Sequence, residues 1–224
     1  MSRILILRPE PGASSTAGRA RLLGLDPLAA PLFTIRPLAW ERPQGSFDAV
    51  LLTSANAARN GGPALAPYLS LPCHAVGEAT AEAAREAGFA AVASGPSDGA
   101  AALDRMADSG VKRARHPCGR EHVPLSHPEV LLERRIVYAA DAVDTLPPAA
   151  EDALACGALV LLHSPRAAAL FAHLCERRGS VRVAAISAAA AAAAGRGWAE
   201  LRIAAQPRDQ ALLELAAELC NTKC

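Results

Sequence analysis

The chain repeats itself, and the repeat limits the folds open to it. Residues 50–58 (Val-Leu-Leu-Thr-Ser-Ala-Asn-Ala-Ala) resemble residues 160–168 (Val-Leu-Leu-His-Ser-Pro-Arg-Ala-Ala). Residues 75–81 (Ala-Val-Gly-Glu-Ala-Thr-Ala) resemble residues 185–191 (Ala-Ile-Ser-Ala-Ala-Ala-Ala). Gly77 follows Ser54 by 23 residues, and Ser187 follows Ser164 by the same 23. Further on, Gly88-Phe89 matches Gly197-Trp198, and Pro96-x-Asp98 matches Pro207-x-Asp209. The offsets are 110, 110, 109 and 111, so the copies differ by single insertions or deletions. Matched alanines carry little weight in an Ala-rich chain. The Ser, Gly and Pro-x-Asp anchors, kept in one order, carry the inference of two similar units of about 110 residues.

Each copy alternates short apolar runs with Ala-rich amphipathic stretches. Strand candidates are 4–7, 32–38, 49–53, 74–76, 90–93, 113–116, 135–143, 159–163, 182–186 and 201–204. Helices are expected over 15–23, from Ser54, over 79–87 and 99–107, from Pro147, and after each of the last three strands. Strands that are apolar almost throughout are buried on both faces, as in parallel sheets covered by helices. The fold class is therefore α/β, with two Rossmann-like or flavodoxin-like parallel-sheet domains.

Composition removes several function classes. Of 224 residues, 51% are hydrophobic and the net charge is +1, which excludes a disordered chain. Without a basic excess, no nucleic-acid partner is expected. Of the 23 basic residues 21 are arginine, the better fork for a carboxylate. The first apolar run stops at Arg8-Pro9, too short for an export signal, and no run reaches the ~20 residues of a membrane span. Six cysteines without CxxC spacing read as reduced thiols of a cytoplasmic protein. A P-loop, a GxGxxG after the first strand, HExxH and GxSxG are all missing. Cys118-x3-His122 has zinc-like spacing but lacks a second pair, so His116, His122 and His127 are read as surface histidines of a loop and no metal is expected.

In open parallel sheets ligands bind beyond the carboxyl ends of the strands. Helices that start there present free amides and a positive dipole end to anions. Ser54 and Ser164 stand at such turns, with Gly77 and Ser187 one strand later. One such serine alone is a helix cap. Four equivalent turns in two domains read as the lining of one cleft.

Taken in order, several motifs resemble the uroporphyrinogen-III synthase family. They are Leu7-Arg8-Pro9, the Thr53-Ser54-x-Asn56-Ala57 turn, Ala75-Val76-Gly77-x-x-Thr80, Pro117-Cys118-Gly119 and Val137-Tyr138. Ser164-Pro165-x-x-Ala168, Ala185-Ile186-Ser187 and Pro207-x-Asp209-x-Ala211 complete the series, which spans nearly the whole chain. The resemblance implies two α/β domains joined by a two-stranded connector, here 33–38 and 135–143. One domain would be 1–36 plus 144–224, and the inserted one 37–143. It implies cyclisation of the linear tetrapyrrole hydroxymethylbilane, an eight-carboxylate molecule, to uroporphyrinogen III. Water is lost and the last pyrrole ring, ring D, is inverted, through azafulvene and spiro-pyrrolenine intermediates, with no cofactor or metal. Tyr138 would be the proton donor. Arg8, Ser54, Asn56, Gly77, Thr80, Cys118, Gly119, Ser164 and Ser187 would bind substrate. Ala190 stands where the family often has Thr, and the His- and Pro-rich stretch 115–128 departs from the family pattern beyond Gly119.

These features lead to the expectation of a monomeric cytoplasmic enzyme that meets hydroxymethylbilane synthase only transiently and binds no membrane. The alternatives are a non-catalytic two-lobed protein that binds anions or tetrapyrroles, and a sugar-nucleotide transferase. Transferases of that kind are usually far longer, and no acidic ribose-binding residue follows a Gly-rich turn.

Overall fold

In the computed structural model, which describes residues 2–41, 45–95 and 98–221, the alternation becomes two separate sheets. Pro96, Ser97 and Cys224, which enter the sequence reading, lie outside the described residues. The strands are β1 (Arg3–Ile6), β2 (Asp26–Ala29), β3 (Phe33–Pro37), β4 (Ala49–Leu52), β5 (Cys73–Val76), β6 (Val92–Gly95), β7 (Arg113–Gly119), β8 (Leu131–Ala142), β9 (Leu159–Leu162), β10 (Arg182–Ala185) and β11 (Glu200–Ile203). The helices are α1 (Gly12–Leu22), α2 (Ala55–Asn60), α3 (Glu78–Glu86), α4 (Gly99–Asp108), α5 (Pro148–Ala155), α6 (Pro165–Leu174), α7 (Ala188–Ala194) and α8 (Asp209–Asn221).

The chain divides into two compact units, one made of residues 1–34 and 142–224, the other of Ile35–Asp141. It passes between them within β3 and β8, which are neighbours in the second sheet.

In the discontinuous unit the strand order is β2-β1-β9-β10-β11, all parallel. Renumbered along the chain this is 2-1-3-4-5, the flavodoxin-like order, which reverses direction between β1 and β9. One face of the sheet is sealed by Ile4, Ile6, Leu159 and Leu161 against Ala13 and Ala17 of α1 and Leu212 and Leu213 of α8. β2, which is not among the expected strands, begins Asp26-Pro27. It is an edge strand, where the missing proline N–H costs no ladder bond.

The inserted unit orders its strands β6-β5-β4-β7-β8, with β3 added beyond β8. Renumbered from β4 this is 3-2-1-4-5, a Rossmann-like half that reverses between β4 and β7. All four residues of β4 are buried. Val50 and Leu52 face a core with α2 and α3, while Ala49 and Leu51 face Leu103 and Met106 of α4. That two-sided burial is why the run is apolar without alternation.

β7 is longer than its sequence suggests. It pairs with β4 only at Ala114 and Arg115, but follows β8 from Arg113 to Gly119, with a register shift between Cys118 and Gly119. Past Arg115 its β4-facing side carries no ladder, which is where a proline is tolerated in a strand, and Pro117 stands there. The parallel step from β7 to β8 is made by residues 120–130 without a helix, although such crossovers usually carry one.

Candidate functional site

Divergence of β4 and β7, and the helix-free crossover after β7, leave a cavity of about 360 Å³ in the inserted unit. It lies at the switch point, where open α/β sheets bind ligands. Thr53 and Ser54 line it from the end of β4, and Val76 from the end of β5. Asp98 and Gly99 contribute from the start of α4, Gly119 from β7 and Tyr138 from β8. Glu121, His122, Val123 and Leu125 form the wall supplied by the crossover.

Ser54 is the N-cap of α2, and its Oγ accepts from the Asn56 amide at 3.2 Å. The same oxygen accepts from the Tyr138 hydroxyl at 3.1 Å. With both acceptor sites occupied, the Ser54 proton remains available as a donor. Tyr138 itself is 9% exposed, and its ring lies across Gly119. A Cβ on Gly119 would come within 2.7 Å of the Tyr138 Cζ and 2.8 Å of its oxygen, so only glycine allows this approach.

Thr53 Oγ1 and His116 Nε2 are 3.1 Å apart. His116 is fully buried in β7 and is not a surface histidine of a loop. Burial, with Arg134 adding like charge, pushes its pKa down to about 4, so it is neutral at pH 7. His122 Nδ1 lies 3.0 Å from the Gly119 carbonyl. A carbonyl only accepts, so Nδ1 carries a proton. Arg134 donates to the Leu125 carbonyl and thereby holds the crossover. Asp98 caps α4 by accepting from the Ala100 amide at 3.1 Å. Among the described residues, no Lys or Arg lines this cavity.

The cavity thus gathers Ser54, Gly119 and Tyr138 from the expected set. Asn56 contributes its amide to the Ser54 cap, and Gly77 caps α3 at φ 79°, but neither lines the cavity. Thr80 is 6% exposed within α3, and Cys118 is 1% exposed, with burial raising its thiol pKa. Neither is among the residues that line the cavity. Among the described residues no three His, Cys, Asp or Glu side chains converge as a metal site, and Cys118 with His122 forms none.

The remaining three expected residues belong to the discontinuous unit. Ser164 caps α6 through the Ala167 amide, and Ser187 caps α7 through the Ala190 amide, each at 3.2 Å. Arg8 is engaged at the switch point between β1 and β9. Its Nη1 donates to Thr16 Oγ1 and to Asp209 Oδ1, both at 3.3 Å. Thr16 donates to Asp209 Oδ1 at 2.8 Å, and His163 Nε2 meets the same oxygen at 3.0 Å. Arg19 holds Asp209 Oδ2 with two donors at 2.9 and 2.7 Å. Burial works against the Asp209 charge, yet the bonds from His163, Thr16 and Arg19 hold its carboxyl well below the usual carboxylate range. Burial also lowers the His163 pKa against the pull of Asp209.

Sequence reading misses Thr53, Asp98 and His122 in the lining, and His116 as the buried partner of Thr53. Asp98 is visible only as an anchor of the repeat, and Thr53 only as part of the turn before Ser54. The two histidines are visible only as part of an unassigned loop.

The family profile described as Uroporphyrinogen-III synthase HemD matches residues 14–214. The fold matches the uroporphyrinogen-III synthetase of Helicobacter pylori 26695 at 19% identity and TM-score 0.67, covering 98% of this chain and all of that one. It also matches a mutant uroporphyrinogen III synthase of the extremely thermophilic bacterium Thermus thermophilus at 15% identity and TM-score 0.56, over the full length of both chains. No curated protein matches the chain. No helix among the described residues is long and apolar enough to cross a membrane. The profile spans nearly all of both units, and the chain belongs to the uroporphyrinogen-III synthase family of tetrapyrrole-forming enzymes.

Proposed function

We propose that the protein cyclises hydroxymethylbilane to uroporphyrinogen III, with loss of water and inversion of ring D, and that the reacting ring sits in the cavity of the inserted unit. The observation that carries this reading is the Tyr138–Ser54 hydrogen bond at the switch point. Loss of the hydroxyl as water is helped by a proton at that oxygen. Tyr138 O–H, passed through or aligned by Ser54, is the donor. At about 360 Å³ the cavity is near the lower end of ligand sites, a size for one pyrrole ring with its arms and not for four in line.

The cavity's polar lining includes Asp98 and Glu121. Anionic walls suit a ring that becomes electron-poor as hydroxide departs, and not the eight carboxylates. Those carboxylates fall in this reading to Arg8 and to the turns at Asn56, Gly77, Thr80, Cys118, Ser164 and Ser187, while Ser54 and Gly119 bind the substrate at its reacting ring. Dehydrative ring closure involves no net oxidation and calls for no cofactor. The domain limits 1–36 with 144–224 and 37–143, a monomeric state, a cytoplasmic location and a transient meeting with hydroxymethylbilane synthase belong to the same reading.

Isomer analysis tests it. The protein is mixed with freshly made hydroxymethylbilane, the products are oxidised, and the isomers are separated. Type III is expected to exceed the spontaneous type I. Type I alone would leave a two-lobed binder of anions or tetrapyrroles.

A further inference from the structure

We propose that His122 is the general base of the cavity, paired with Tyr138 as the acid. This inference rests on the function proposed above. The tautomer of His122 decides what the ring can do. Because the Gly119 carbonyl can only accept, His122 Nδ1 is a donor, and the neutral ring carries its lone pair on Nε2. Nε2 has no hydrogen-bond partner among the described residues, and the ring lines the cavity. A neutral imidazole fixed in this way accepts a proton. Tyr138, whose hydroxyl hydrogen is directed at Ser54, gives one. Both side chains are set by Gly119, the first through its carbonyl and the second across its Cα, so one residue positions acid and base together.

Forming an azafulvene from a hydroxymethylpyrrole removes two hydrogens and one oxygen as water. The C–O bond breaks, and the hydroxyl oxygen leaves with the proton from Tyr138. His122 Nε2 takes the pyrrole N–H proton, so the ring becomes a neutral azafulvene. When the new C–C bond forms at the azafulvene carbon, the nitrogen regains a proton from His122. In the route with inversion this bond forms at ring D's substituted α-carbon, so ring D gives its N–H proton to the Tyr138 oxygen. When the spiro intermediate opens by breaking the older C–C bond, Tyr138 returns a proton to the ring D nitrogen and His122 takes the ring C N–H proton. On closure at ring D's free α-carbon, the ring C nitrogen regains its proton from His122, while the displaced C–H proton goes to the Tyr138 oxygen. Acid and base end as they began, and no further reagent is consumed. His116 has a different place. It is buried behind the lining and bonded to Thr53, so it acts on the wall and not on the substrate.

His122→Gly and His122→Gln are compared with the unsubstituted protein in the isomer assay. The expected result is a loss of kcat of about 100-fold with KM within about threefold, and partial recovery of the Gly variant by added imidazole. Circular dichroism of both variants is expected to match the unsubstituted protein. Full kcat in both variants, or a loss in the Gly variant that imidazole does not relieve, overturns the role. If the unsubstituted protein gives only type I, the proposed function itself fails, and that outcome is distinct from either.

Discussion

The same position in the two units is built to opposite ends. At the switch point of the discontinuous unit, β1 and β9 close over a packed polar cluster, with Asp209 held by Arg8, Thr16, Arg19 and His163. At the switch point of the inserted unit, β4 and β7 diverge over an open cavity. The repeat makes the comparison direct, because Thr53 and Asp98 stand where His163 and Asp209 stand in the other copy. His163 is long enough to reach Asp209. Thr53 is short and turns to His116, while Asp98 spends its oxygen on the Ala100 amide. The neighbouring strand completes the contrast. β1 is followed by α1, which brings Thr16 and Arg19, whereas β7 ends at Gly119 and a crossover without a helix. One scaffold therefore yields a packed polar cluster or an open cavity, depending on what fills the end of the adjoining strand.

Asp209→Ala breaks the polar cluster most severely. It leaves Arg8, Arg19 and His163 facing one another without their anion, and the expected loss is about 3 kcal/mol in urea unfolding. A loss below about 1 kcal/mol would mean that the cluster is not what holds α8 to the ends of β1 and β9.

Gly119→Ala attacks the cavity. The new Cβ collides with the Tyr138 ring, separates its hydroxyl from Ser54 and disturbs the residue whose carbonyl holds His122. The expected result is a fall in kcat of about 30-fold, about 2 kcal/mol of barrier, with the protein still folded. Unchanged turnover would show that the Tyr138–Ser54 bond is dispensable.

Acid sensitivity separates the two buried histidines. Burial lowers the proton affinity of both His116 and His163, so below pH 6.5 the unfolded chain binds protons more readily than the folded one. Stability is full above that value and falls as pH drops, for His116 down to about pH 4. Between pH 7 and pH 5 the His116 share is roughly 1–2 kcal/mol. His116→Gln is expected to remove that share from the measured slope and leave the His163 share. An unchanged slope would show that His116 does not contribute. The smallest effect is that of Tyr138→Phe, about a tenfold loss of rate with unfolding unchanged, because the pyrrole already favours departure of the hydroxyl.

Much of this architecture is legible in the sequence, for a physical reason. Strands buried on both faces, such as β4 and β9, are apolar at every position, and the serines that cap α2, α6 and α7 mark where those helices begin. Ser54, Gly119 and Tyr138, expected as site residues, meet in one cavity. Where a strand loses its ladder, legibility fails. Pro117 makes the end of β7 read as a loop, so buried His116 reads as a surface group. Asp26-Pro27 hides β2 in the same way. The role of Arg8 is obscured because its partner, Asp209, lies 201 residues away.

The claim that the inserted unit's switch point is the reaction chamber has one direct test, a crystal structure of the protein soaked with uroporphyrinogen III. The expected result is a pyrrole ring of the product seated against Ser54, Gly119 and Tyr138. Product held elsewhere, with that cavity vacant, would contradict the account.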